Sequence, residues 1–123
     1  MLAELPATTE RVADVLGLDD EIALAGLSHL AEQRWVAPLQ GRGSRVWYPI
    51  GPAAADDPKR SVAVRALALL PATVRQLRDR VPDIEGVRIS TALNEHRRAG
   101  RAQLIGSVWH LAISPHPGQA NAQ

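Results

Sequence analysis

Arginine is the side chain through which this sequence can do most chemistry: of its 14 basic residues, 13 are arginine and one, Lys59, is lysine. The formal net charge of +1 hides a strong asymmetry. Residues 1–58 carry 4 arginines against 9 acids, a net −5, whereas residues 59–123 carry 10 basic residues against 4 acids, a net +6. A guanidinium presents several N–H donors in a planar fork that suits phosphates and other oxyanions. The second half is therefore the candidate polyanion binder.

Other chemistries find little support. There is no cysteine, so disulfides, thiol catalysis and thiolate metal sites are excluded. His29, His96, His110 and His116 have no metal-ligand spacing with carboxylates, and neither a metal nor a cofactor is expected. No glycine-rich phosphate loop and no Ser/His/Asp arrangement in a motif context occurs, so an enzyme is not expected. The acid pair Asp19–Asp20 reads as a helix start, and Asp56–Asp57 as part of a linker. No apolar run approaches the roughly 20 residues that span a bilayer, and MLAELPATTE lacks the regions of a signal peptide. The expectation is a cytoplasmic, nucleoid-associated protein with no membrane partner. Abundant alanine and arginine, with no phenylalanine, suggest a GC-rich prokaryotic genome, or one of its phages or plasmids.

The elements that must position these arginines occur twice. LAELPAT at Leu2 to Thr8 returns as LALLPAT at Leu67 to Thr73, and RVWYPI at Arg45 to Ile50 is echoed by SVWHLA at Ser107 to Ala112. An internal duplication is the simplest account. Each unit of about 55 residues is close to the lower limit for a self-sufficient core, so the copies are expected to pack on each other or on a second chain. Thr8 opens a helix bearing Val12, Val15 and Leu16, stopped at Gly17. Asp19 and Asp20 then open a helix to about Arg34, with Ala23, Leu27, Leu30 and Ala31 on one face. WVAPLQGRGSRVWYPIG reads as a hairpin around GRGS.

The second copy repeats the order. SVAVRALALL forms a first helix, PATVRQLRDRV a second with Thr73 and Gln76 as a capping box, and Ile84 to Ala99 a third. RAQLIGSVWHLAI closes it as a hairpin. The division is 1–52 for the acidic first module, 53–60 for a linker, 61–113 for the basic second module and 114–123 for a disordered tail.

Each half resembles a winged helix-turn-helix module of the kind found in prokaryotic transcription regulators, and the chain resembles a tandem pair. The fold class expected is mainly α with short β-hairpins, that is α+β. The first copy departs from the pattern, because only Met1 to Leu5 stand where a full first helix belongs. The resemblance implies a helix in the major groove and a wing near phosphates. On the second module's last helix it assigns Arg88, Thr91, Asn94 and Arg98, beside Glu95, to base edges, where Arg suits guanine, Asn adenine and Thr a thymine methyl. Arg97, Arg101, Arg75 and Arg78 are assigned to phosphates, and so are Arg42 and Arg45 at the first wing. Trp47 and Trp109 are expected to pack in the core, and His96 to be a hydrogen-bonded core histidine.

The matching face of the first module holds Ile22, Ala25, Ser28, His29 and Glu32 and no arginine. A protein interface formed by Ile22, Leu24, Ala25 and His29 is expected there. The function expected is a small sequence-specific DNA-binding regulator that docks double-stranded DNA through its second module. The first module would mediate homodimerisation or bind a protein partner. The alternative is an assembly scaffold, since tandem winged helices also bind proteins in bacterial condensin accessory subunits and an endosomal sorting complex.

Overall fold

The computed structural model describes residues 2–41 and 44–113. Arg42 and the expected tail at 114–123 lie outside them. The chain is α+β, with six α-helices and two antiparallel hairpins among the described residues.

After a single 3₁₀ turn, Leu2–Glu4, come α1 (Thr9–Leu16), α2 (Asp20–Glu32), β1 (Val36–Gln40) and β2 (Arg45–Pro49). Then follow α3 (Pro52–Asp56), α4 (Val62–Leu67), α5 (Val74–Arg80), α6 (Gly86–Arg98), β3 (Ala102–Ile105) and β4 (Val108–Leu111). Three of the six helix starts are closed by side-chain caps, whereas Asp19, expected to cap α2, makes no such hydrogen bond. Thr8 accepts from the Arg11 amide, Ser61 from Val64, and Thr73 from Gln76, whose side chain accepts the Thr73 amide in return.

The repetition in sequence is matched in backbone detail. Ala7 bridges Trp47 on the strand β2, and Ala72 bridges Trp109 on β4. Both Leu5–Pro6 and Leu70–Pro71 are cis. The amide of Trp35 reaches Leu30 O past the end of α2, as that of Arg101 reaches His96 O past α6. Each helix exit passes through a left-handed residue, Arg34 (φ 63°) in the first half and Gly100 (φ 81°) in the second.

Two apolar clusters result. Leu5, Val12, Ala13, Ala23, Leu27, Val36 and Trp47 form the smaller one. The larger joins α4, α5 and α6 through Leu67, Leu77, Ile89 and Leu93, and it also takes in Ala37 and Leu39 from β1. The first hairpin thus contributes to the second half's core. Leu39 also bridges Ile113, so the two hairpins meet. Trp47 and Trp109 are buried as expected.

Three local readings gain detail. The stretch 53–60, read as a short linker or a first helical turn, begins inside the helix α3, whose Ala54 and Ala55 are buried in the larger core. The pair Asp56–Asp57 is not idle: Asp56 makes a bidentate pair with Arg80, and Asp57 accepts from the Lys59 amide. Val15 and Leu16, at helical spacing with Val12, are exposed, because α1 turns only Val12 and Ala13 inward.

The missing first helix of the first half is replaced in a different way. Arg60, just before α4, donates from Nη1 to Leu5 O at 3.0 Å and from Nη2 to Leu2 O at 3.2 Å. A guanidinium from the second half therefore holds the N-terminal segment in place.

Candidate nucleic-acid interface

Helix α6 carries the candidate interface, and its orientation is set by which residues it buries. Ile89, Ala92, Leu93 and His96 face the core. At about 100° per residue, the direction opposite that stripe is occupied by Val87, Thr91, Asn94 and Arg98, while Arg88 and Glu95 lie roughly 70–90° to the α4 side and Arg97 about 100° to the other. All seven are exposed. Thr91 has spent its hydroxyl proton on Val87 O at 2.9 Å, so it presents a methyl and an acceptor.

Arg75 and Arg78 are exposed on α5, along an open groove that also includes Asp79 and Glu85. Arg78 lies across the start of α6: a β-carbon on Gly86 would come within 2.6 Å of its Nε. Glycine at the first position of α6 is what allows this packing, and it brings the Arg78 charge to the helix N-terminus, where anions are favoured.

Two of the expected contacts are held elsewhere. Arg101 is only partly exposed; its Nε donates to His96 Nδ1 at 2.8 Å and its guanidinium lies 5.9 Å from the Tyr48 ring centroid. Arg45 places its guanidinium 5.3 Å from the Trp47 ring centroid. Both arginines cover aromatic faces of the first hairpin. Arg42 lies outside the described residues, so its expected role at the wing is not described.

The Arg101 contact fixes the state of His96. Arginine has no acceptor, so Nδ1 must be unprotonated, and Nε2 therefore donates to Ala63 O at 2.7 Å. His96 is a neutral, buried core histidine, as expected, and burial pushes its pKa below the usual histidine value. It also stands edge-on to Tyr48, with ring centroids 6.1 Å apart.

Sequence reading missed the ionic framework that holds this helix set together. Arg65 is buried on α4, where its Nε donates to Ala55 O and its two terminal nitrogens grip Asp83 at 2.7 and 3.1 Å. Arg80 grips Asp56 from α5. These hydrogen bonds hold both carboxyls below the usual aspartate range. The signal for Arg65 was present in sequence, since it sits within an otherwise apolar run, VAVRALALL. The ten basic residues of the second half therefore divide into structural and free groups. Arg60, Arg65 and Arg80 form the ion pairs found among the described residues. Arg75, Arg78, Arg88, Arg97 and Arg98 are in none of them.

In the first half, the corresponding face exposes Ile22, Ala25 and His29. Leu24, half-buried beside them, packs partly against its own core. Val15, Leu16 and Leu18 add to the apolar surface at the α1–α2 turn.

Among the described residues no group of three or more His, Asp or Glu side chains is placed to hold a metal ion, and no helix is long and apolar enough to cross a membrane. No protein-family model matches the chain, and no curated protein or solved structure matches it either.

Proposed function

We propose that the chain is a small DNA-binding protein, a tandem pair of winged helix-turn-helix units in which α6 enters the major groove of duplex DNA. The observation that carries this reading is the set of five exposed arginines, Arg75, Arg78, Arg88, Arg97 and Arg98, none of them in an ion pair among the described residues. Arg98, Asn94 and the methyl of Thr91 share the outward line of α6 and read base edges, with Arg88 beside them. Arg75, Arg78 and Arg97 meet phosphates. Glu95 opposes phosphate and is tolerated where it accepts from cytosine.

Arg101 and Arg45 are support residues in this reading, since each is committed to an aromatic ring. The first half makes protein contacts through its exposed apolar turn, and a regulatory role follows from specific DNA binding.

The test is fluorescence anisotropy of labelled, mixed-sequence duplex DNA titrated at several salt concentrations. Affinity that falls steeply as salt rises is expected. Arg88→Ala and Arg98→Ala should each weaken binding by about 1–3 kcal/mol. Absence of binding at low salt would overturn this reading in favour of an assembly scaffold, which the apolar turn of the first half also suits.

A further inference from the structure

The α1–α2 turn of the first half is covered by nothing among the described residues. Four large apolar residues, Val15, Leu16, Leu18 and Ile22, are exposed within eight consecutive residues, Ile22 at 55 %. Asp14, Asp19, Asp20 and Glu21 lie among them, all exposed and in no ion pair among the described residues. Aspartates at Asp19 and Asp20 are explained by the start of α2. That explanation leaves the apolar residues unaccounted for.

The equivalent turn of the second half, between α5 and α6, has the opposite character. Arg75, Arg78 and Arg88 are exposed there, and Val87 is 68 % exposed between them and the rest of α6. Asp79 and Glu85 reduce its positive charge without cancelling it. One chain therefore carries an acidic apolar surface and a basic surface with an apolar centre at corresponding places. Each satisfies what the other lacks.

We infer that a second copy of this chain occupies the α1–α2 turn, presenting its own α5–α6 surface. Ile22 and Leu18 meet Val87, and Asp20 and Glu21 meet Arg88 and its neighbours. Because each copy carries both surfaces, a two-fold pair makes the contact twice and closes as a dimer. The apolar centre supplies affinity and the charges supply orientation. The contact uses arginines that the DNA reading also uses, so duplex DNA and the second copy compete for them. Self-association itself does not depend on that reading.

Sedimentation of the full chain, without DNA, tests it directly. A dimer is expected at low ionic strength, with association weakening as salt rises. Ile22→Arg should weaken association roughly tenfold or more, since it places a cation against the apolar Val87, beside Arg88. The paired reversals Asp20→Arg with Glu21→Arg, and Arg78→Glu with Arg88→Glu, should each abolish self-association. Mixing the two reversed proteins should restore it as a heterodimer. All five positions are exposed, and circular dichroism verifies that each variant folds.

A monomer at every concentration overturns the inference, and leaves the turn to a different partner. A dimer unaffected by Ile22→Arg, or reversed proteins that fail to associate when mixed, overturns the surface assigned. If DNA binds, its addition should dissociate the dimer; a dimer that takes up DNA intact removes the shared face. Failure of DNA binding with the dimer intact overturns the DNA reading alone.

Discussion

The two halves share a backbone plan and carry opposite chemistry on it. Matching helix exits and tryptophan bridges places Glu10 with Arg75, Val15 with Arg80, Ile22 with Arg88, Glu32 with Arg98 and Trp35 with Arg101. Five positions that are acidic or apolar in the first half are all arginine in the second. The lesson concerns where change is permitted. The tryptophans, the capping threonines and the small residues before them set the fold, and the outward positions of Arg75, Arg88 and Arg98 are free to set a charge, whereas Arg80 and Arg101 are spent on Asp56 and on His96 and Tyr48.

The halves also differ in how they are closed. The second has a helix, α4, packed on α6, whereas the first has a short 3₁₀ turn held by Arg60. The largest expected effect breaks this difference. Leu67→Ala on α4, a fully buried side chain whose counterpart Leu2 is only partly buried in the 3₁₀ turn, should cost about 2–5 kcal/mol in urea denaturation. Arg65→Ala should cost about 1–3 kcal/mol, because it leaves the carbonyl of Ala55 without its donor, while the exposed Asp83 carboxylate returns to water. An effect near zero would mean that the α3–α4–α5 framework is held by apolar packing alone.

A third prediction uses the position where His96 stands opposite Leu30. The histidine is neutral in the fold and its pKa is depressed, first by burial. The unfolded chain therefore binds a proton more readily, so stability is highest above the ordinary histidine pKa and falls as pH drops through about 6.5 towards the lower folded value. His96→Gln should flatten the dependence of stability on pH between about 7 and 5. An unchanged slope would assign the pH dependence to another group.

The smallest effect sharpens the comparison from the other side. Arg34 stands in left-handed backbone where the second half has Gly100. Arg34→Gly should raise stability by about 0.5–1 kcal/mol, since only glycine reaches that region without a penalty. Gly100→Arg should lower it by a similar amount. Thermal denaturation of the two variants side by side measures both.

Much of this plan was legible because its determinants are local. The PAT openings, the capping box at Thr73 and Gln76, and the glycines at helix exits identify element order without tertiary information. Helix α6 was bounded within two residues, and its outward residues were recognised from spacing. What escaped was non-local. Nothing in the stretch 53–60 announced that Ala54 and Ala55 would be buried beneath α4. Nothing about Arg101 distinguished it from the exposed arginines, because its partner Tyr48 is met only once the chain is folded, whereas Arg45 and Trp47 share one face of a strand two residues apart. Charge counts in sequence overstate a binding face for that reason: Arg60, Arg65 and Arg80 add to the tally of the second half and are spent inside the fold.

Arg60 has a consequence for how the chain comes into being. The carbonyl of Leu5 that it caps lies 55 residues earlier in the chain, and that of Leu2 lies 58 earlier. On a ribosome the first half emerges complete in length and still lacks the donor that secures its own beginning. The carbonyls of Leu2 and Leu5 gain this donor only after the start of α4 has left the exit tunnel. Synthesis therefore imposes an order in which the last anchors of the Leu2–Leu5 segment form after the rest of the first half has been made.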